Sequence, residues 1–402
     1  MIDRAAFVRY LTCALALPQT SATPQASPAR PFTVLILGDS IAWGQGLLRG
    51  HRWRDLLVAR LRTALGREVK EIAPQVHSGA VIGLGDRDEI DLAGLYQPDL
   101  YPPGQEKPTL LGKGEYAGEL PSSTPTVLAQ LDALDALDPG DPIDLVVVSA
   151  GINDVRIVRF LDPFASPKFI SDLIDLHCRR HLTALLDRIR VRCVDRNPAC
   201  KVVVLSYYQI VSVRSVGFPS VYDFVSALFT APPRSAAERR NRRLIGGLAE
   251  VEQMTGQQPS PGAQAAGKLP HLVAQIVDAA QRFYEASEAA IDAAVAAANR
   301  PPFSQAFVHV TPQIGPAQAL YVVPASASDL WAAKIVGREP PLPTDEVAKF
   351  RVPLCFGLYG GDSPALNECD VASLGHPDVA GASDGYFEAI WEKIAPLLAP
   401  PG

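Results

Sequence analysis

Phe32-Thr33-Val34-Leu35-Ile36-Leu37 runs directly into Gly38-Asp39-Ser40, and that junction decides how the chain is read. A continuous run of branched apolar side chains reads as a strand buried on both faces, as in a parallel sheet covered by helices. The small, acidic and hydroxyl residues that follow break the strand, and Trp43-Gly44-Gln45-Gly46 keeps the next stretch in a loop. In open α/β sheets, ligands bind in the crevice beyond the carboxyl ends of the strands. Ser40 therefore stands where a hydroxyl can meet a substrate. A serine is a poor nucleophile unless a base and an oxyanion site converge on it. Without such partners, the triplet would be only a strand ending in a polar turn.

The partners occur in order along the chain. Glu68-Val-Lys-Glu-Ile-Ala73 reads as a second strand running into Val76-His-Ser-Gly-Ala-Val81, which places Gly79 at its end. A glycine there lets a backbone N–H approach a developing oxyanion without a Cβ in the way. Ile143-Asp-Leu-Val-Val-Val148 reads as a third strand leading to Ser149-Ala-Gly-Ile-Asn-Asp154. Asn153 offers a neutral amide donor suited to the same oxyanion. Near the C-terminus, Ser373-Leu-Gly-His-Pro377 carries His376, the side-chain type that takes and returns a proton near neutral pH.

In these residues the chain resembles the SGNH (GDSL) hydrolases. Their four blocks are Gly-Asp-Ser, a glycine after the second strand, Gly-x-Asn-Asp, and a C-terminal Asp-x-x-His-Pro. Gly38-Asp39-Ser40, Gly79, Gly151-Ile-Asn-Asp154 and His376-Pro377 match in order, from about Phe32 to near the C-terminus. The resemblance implies a three-layer α/β/α sandwich with a flavodoxin-like parallel sheet of about five strands. It implies Ser40 as nucleophile and His376 as general base. The oxyanion hole would be the backbone N–H groups of Ser40 and Gly79 with the side-chain amide of Asn153. No metal and no organic cofactor is implied.

One block departs from the family pattern. Ser373 stands three residues before His376, where the family has aspartate. The acid orients the imidazole and stabilises its protonated form, and losing that orientation can cost about 10⁴ in rate. A backbone carbonyl near Ser373, the carboxylate of Asp370 and the more remote Asp362 are the candidate orienters.

Charged residues make up 20% of the chain and hydrophobic ones 48%, as in ordinary globular proteins. The net charge of −6 speaks against a general nucleic-acid binder. No apolar run approaches the roughly 20 residues of a membrane span. Within 1–31, Arg4 and Arg9 precede Tyr10-Leu-Thr-Cys-Ala-Leu-Ala-Leu17 and a Pro/Ser/Ala-rich stretch, the order of a signal peptide and linker. Such a leader would make the protein secreted or periplasmic. A frayed leader on a cytoplasmic protein is the alternative. Five cysteines follow it: Cys178, Cys193, Cys200, Cys355 and Cys369. Cys193 with Cys200, and Cys355 with Cys369, are spaced to close short loops as disulfides, with Cys178 able to compete. Buried free thiols are the other reading. Zinc-type cysteine or histidine pairs are not read in the spacing.

The remaining layout follows from punctuation and periodicity. Helices are expected over 51–65, 126–137, 169–192 and 383–398, with strands at 201–206 and 305–310. Residues 85–125 lack periodicity and read as a long loop. Two enlargements interrupt the hydrolase domain at 32–402. One, at about 211–303, carries Ser235-Ala-Ala-Glu238 as a capping box, the basic run Arg239–Arg243, and Leu272, Ile276, Ala280 and Phe283 at helical spacing. Its apolar face would be either a lid over the acyl site or a surface packed on the sheet. The other, at about 311–374, reads as loop material bordering the pocket. His51, His77, His177, His181, His271 and His309 lack motif support. The chemistry expected is hydrolysis of a small-molecule, lipid or carbohydrate ester through a serine acyl-enzyme. A carbohydrate O-acetyl esterase and a non-catalytic carbohydrate- or lipid-binding member of the same fold are the alternatives.

Overall fold

The computed structural model of the protein describes residues 30–73, 75–84, 116–121, 125–134, 142–156, 166–211, 269–302, 305–314, 345–359, 372–373 and 375–398. Five strands, β1 (Phe32–Gly38), β2 (Val69–Ile72), β3 (Leu145–Ser149), β4 (Lys201–Leu205) and β5 (Phe307–Val310), form one sheet in the order β2-β1-β3-β4-β5. Every pairing is parallel. This is the doubly wound flavodoxin-like order, with its switch point between β1 and β3. Every residue of β1 and of β3 is buried, as the unbroken apolar runs require.

The strand order fixes the helix layers. Crossovers between parallel strands are right-handed, so the step from β1 to β2 goes to one face. The steps from β2 to β3, β3 to β4 and β4 to β5 run the other way and cover the opposite face. The helices are α1 (Ser40–Trp43), α2 (Trp53–Leu65), α3 (Val127–Asp132), α4 (Ile152–Val155), α5 (Pro167–Ile174), α6 (Leu182–Ile189), α7 (Leu269–Ala298), α8 (Ala348–Tyr359) and α9 (Glu388–Leu398). Helix α2 ends at Gly66, whose left-handed conformation returns its N–H to the Arg62 carbonyl. It packs beside the Gly381–Phe387 turn that opens α9, and Arg60 lies over the Trp391 ring. On the other face α7 packs along α5 and α6 and against β5.

Several boundaries differ from the sequence reading, each for a local reason. Ser40 opens a single helical turn instead of a loop, because the Asp39 side chain caps it at the Ile41 N–H. The helix expected over 169–192 runs from Pro167 to Val194, and two π-helical turns, Asp175–His181 and Arg190–Val194, interrupt its α-geometry. The stretch expected to be loop before His376 contains α8.

Of the two readings of the apolar stripe near 280, packing is what its described residues show, while 212–268 lie outside the described residues. Ile276, Val277, Ala280 and Phe283 are buried against the α5–α6 layer. Cys178, Cys193 and Cys200 are buried free thiols, so the bridges considered among them do not form. They fill apolar space as small hydrophobes, and burial pushes the Cys193 thiol up to about 12. The leader, Ser235–Glu238, Arg239–Arg243, Asp362, Cys369 and Asp370 lie outside the described residues.

Candidate active site

The register of the two central strands builds the site. Leu37 pairs with Val148 and Gly38 with Ser149, so the chain segments leaving β1 and β3 emerge side by side. Gly38 has φ of 136°, and a Cβ there would lie 2.2 Å from the Ser149 carbonyl oxygen. Only glycine permits that approach. The Gln130 side chain holds the same residue from the other side, accepting from the Gly38 N–H at 2.8 Å and donating to its carbonyl at 2.9 Å. Asp39 is fully buried and accepts three hydrogen bonds: from the Ile41 N–H at 3.0 Å, Ser149 Oγ at 2.8 Å and Tyr207 Oη at 3.2 Å. Burial pushes its carboxyl up to about 6, against the pull of those donors.

The histidine turn arrives from the other end of the chain. The His376 N–H donates to the Ser373 carbonyl at 3.0 Å, and Tyr208 Oη donates to the Gly375 carbonyl at 2.5 Å. Gly375 has φ of 74°, and an added Cβ would meet Ile210 Cγ2 at 2.8 Å. So seated, His376 Nε2 lies 2.7 Å from Ser40 Oγ, within range for the hydroxyl to donate to the ring. The Ser373 carbonyl thus closes the turn through the backbone of His376.

The Ser373 hydroxyl belongs to a buried ionic cluster. It donates to Asp345 Oδ2 and accepts from Arg351 at 3.2 Å. Arg351 also bonds Asp345, and it donates to Glu119 at 3.1 Å. Glu119 further accepts from Trp43 Nε1 at 2.8 Å and from the Gly46 N–H at 3.2 Å. Burial works against the Arg351 charge, but Asp345 and Glu119 more than offset it and raise its pKa. The cluster ties together the loop after Ser40, the turn at Ala117–Glu119, helix α8 and the histidine turn.

The two remaining oxyanion candidates, Gly79 and Asn153, lie beside one another. Gly79 sits in the turn after β2 with φ of 81°. Asn153 Nδ2 donates to the Ala80 carbonyl at 3.0 Å, which fixes its amide beside that turn. The amide carries a second N–H. His77, buried, places Nδ1 2.7 Å from the Ser78 carbonyl and Nε2 2.9 Å from the Pro125 carbonyl, while burial holds its pKa below the usual value. It anchors the Gly79 turn to the start of α3. Tyr207 joins the two halves: its hydroxyl donates to Asp39 and accepts from the Ile152 N–H at 3.0 Å.

Ser40 and His376 are thus within bonding distance, and Asn153 is fixed beside the Gly79 turn. Sequence reading missed the supports Gln130, Ser149, Tyr207, Glu119, Asp345 and Arg351. A signal existed for one of them. Ser149 directly ends the β3 run, so a hydroxyl at the same sheet edge as Ser40 was predictable from register.

One cluster has the donor set for a metal ion. Asp154, His177 and His181 each offer a ligand atom, all within 4.8 Å of one another. The spacing of the cysteines and histidines in the sequence did not single out this cluster. His177 and His181 are four residues apart and face Asp154, which lies in a different block of the sequence.

The chain has an α/β fold with a five-stranded parallel sheet in the flavodoxin-like order, as the sequence blocks lead one to expect. No family model and no curated protein matches the chain. Among solved structures it is similar to an extracellular lipase from Streptomyces rimosus, at 15% identity and a TM-score of 0.35, covering 90% of this chain and 99% of that one. It is also similar to phospholipase A1 from Streptomyces albidoflavus NA297, at 14% identity and a TM-score of 0.31, covering 90% of this chain and 100% of that one. Among the described residues no helix is long and apolar enough to cross a membrane.

Proposed function

We propose that the protein is a serine esterase that hydrolyses carboxylic esters through an acyl-enzyme. The observation that carries this reading is the 2.7 Å approach of His376 Nε2 to Ser40 Oγ. Ser40 Oγ attacks the ester carbonyl carbon while Nε2 takes the hydroxyl proton. The tetrahedral oxyanion is received by the N–H groups of Ser40 and Gly79 and by the free hydrogen of the Asn153 amide. His376 returns the proton to the leaving alcohol, and the C–O bond to that alcohol breaks. A water, deprotonated by the same imidazole, then attacks the acyl carbon; the bond to Ser40 Oγ breaks, the acid leaves, and Nε2 returns the proton to Oγ.

The side chain of Asp39 is not available as the acid of a triad. Its oxygens are committed to Ile41, Ser149 and Tyr207, so it acts as the cap that orients the Ser40 turn. The tests are covalent labelling by a fluorophosphonate probe and turnover of nitrophenyl esters of graded chain length. Labelling should map to Ser40 and vanish in Ser40→Ala, which should keep its thermal melt and lose ester turnover. Undiminished turnover in purified Ser40→Ala would overturn the nucleophile assignment.

A further inference from the structure

The block that carries Asn153 continues into a residue the ester chemistry does not use. Asp154 is nearly buried, and its carboxylate accepts from the Ile82 N–H at 3.1 and 3.2 Å through its two oxygens. Facing it is the helical run after α5, where a π-helical turn spans Asp175–His181. Turns of this kind interrupt the α-helical ladder and are concentrated at functional sites. Residues four apart in a helical turn lie on one side of it. The rings of His177 and His181 lie edge to face with centroids 5.0 Å apart, and His177 Nδ1 is 3.9 Å from Asp154 Oδ1.

The approach of the two segments is built into the backbone. Gly151 opens the Asn153–Asp154 turn at φ of 118°, and a Cβ there would touch Cys178 Sγ at 3.4 Å and the His177 carbonyl at 3.6 Å. The turn is therefore seated on the π-helical segment at His177 and Cys178. Two nitrogens and one carboxylate oxygen from two segments converge at one point, the donor set of sites with three protein ligands and an open position.

The geometry points to a binding site for a divalent transition-metal ion of the zinc type at Asp154, His177 and His181, clamping the oxyanion-side turn to the helix layer. Tetrahedral ligands at about 2.0–2.1 Å from an ion stand roughly 3.3–3.4 Å apart. The ligand atoms lie within 4.8 Å of one another, so binding an ion draws them together by about 1.5 Å at most. Imidazole nitrogen favours zinc, cobalt or nickel over calcium and magnesium, which take oxygen ligands. The site is independent of the ester chemistry and stands whether or not Ser40 is a nucleophile.

The test uses the full chain, stripped with a chelator and dialysed. It is titrated with Co²⁺, read by visible d–d absorption, and with Zn²⁺, read by calorimetry and thermal melting. One equivalent of Zn²⁺ per chain should bind and raise the melting temperature, and Co²⁺ should give saturable bands displaced by Zn²⁺. His181 is partly exposed, so His181→Gln should fold, as its circular dichroism will check. That variant should lose at least about tenfold in affinity, a ligand counting for no less than its supporting groups do. A second reading on the unmodified chain avoids any folding defect: Zn²⁺ should protect the partly exposed His181 from diethyl pyrocarbonate modification mapped by mass spectrometry. The assignment is overturned by the absence of saturable binding, by binding that His181→Gln leaves unchanged, or by binding of Ca²⁺ in place of Zn²⁺.

Discussion

Asp39 offers a pH test of the packing behind Ser40. Its carboxyl is buried beneath the sheet edge and is pushed by that burial from 3.8 up to about 6. A raised carboxyl binds its proton more tightly folded than unfolded. Its contribution to stability is therefore full below the unfolded value and is lost as pH rises through the folded one. The shift of roughly two units, at about 1.36 kcal/mol per unit, makes the full contribution about 3 kcal/mol. Between pH 4.5 and 7.5 about 2 kcal/mol of it should disappear. Other carboxyls titrate over the same range, so the quantity to measure is a difference. Urea unfolding of the parent chain and of Asp39→Asn, both in chelator, is followed at several pH values across that window. The variant has no titrating group at this position. It should also carry a roughly constant penalty, because one amide face mismatches the hydroxyl donor of Tyr207. The parent should lose about 2 kcal/mol relative to the variant on going from pH 4.5 to 7.5. A difference that stays flat across the window, or that grows in the parent's favour, would refute the reasoning. In the latter case the three donors around the carboxylate outweigh its desolvation.

Two further outcomes test other parts of the structure. Asn153→Ala should lower kcat for nitrophenyl acetate by about 10²–10³ with KM little changed, the loss typical of one oxyanion donor; steady-state kinetics decide, and a rise in KM alone would assign Asn153 to substrate binding. Arg351→Met leaves Glu119 and Asp345 as buried carboxylates without their shared cation and should cost about 3–5 kcal/mol in urea unfolding.

What the sequence disclosed follows from the range of the interactions involved. β1 and β3 were visible because a strand buried on both faces must be apolar at every position, and Leu145–Ser149 obeys this as Phe32–Leu37 does. The positions of Ser40, Gly79, Asn153 and His376 were visible because each follows a strand or turn that punctuation marks. The π-helical turns were not, since the apolar positions of Phe169–Arg192 keep a helical period whether the hydrogen bonds run to the fourth or the fifth residue. Helix α8 was missed because Pro353 and a weak apolar stripe give Ala348–Tyr359 no periodic signature. The pairing of His177 and His181 with Asp154 depends on tertiary contact and has no local trace.

The ionic cluster shows why the departure at Ser373 need not uncouple the histidine from the rest of the site. In the family pattern, an aspartate three residues before the histidine would hold the ring directly. Here the serine at that position gives its hydroxyl to Asp345 and receives Arg351, and Arg351 reaches Glu119, which holds Trp43 and Gly46 just after Ser40. The chain on both sides of the Ser40–His376 contact is therefore anchored to one buried guanidinium. Gly46 adds a steric link: a Cβ there would press on Ser373 Cβ at 2.9 Å. The loop after Ser40 and the turn that carries His376 thus share a common support, across more than three hundred residues of sequence. A charge removed from that support would move both groups together, so loss of Arg351 should depress turnover through the alignment of Ser40 with His376 as well as through stability.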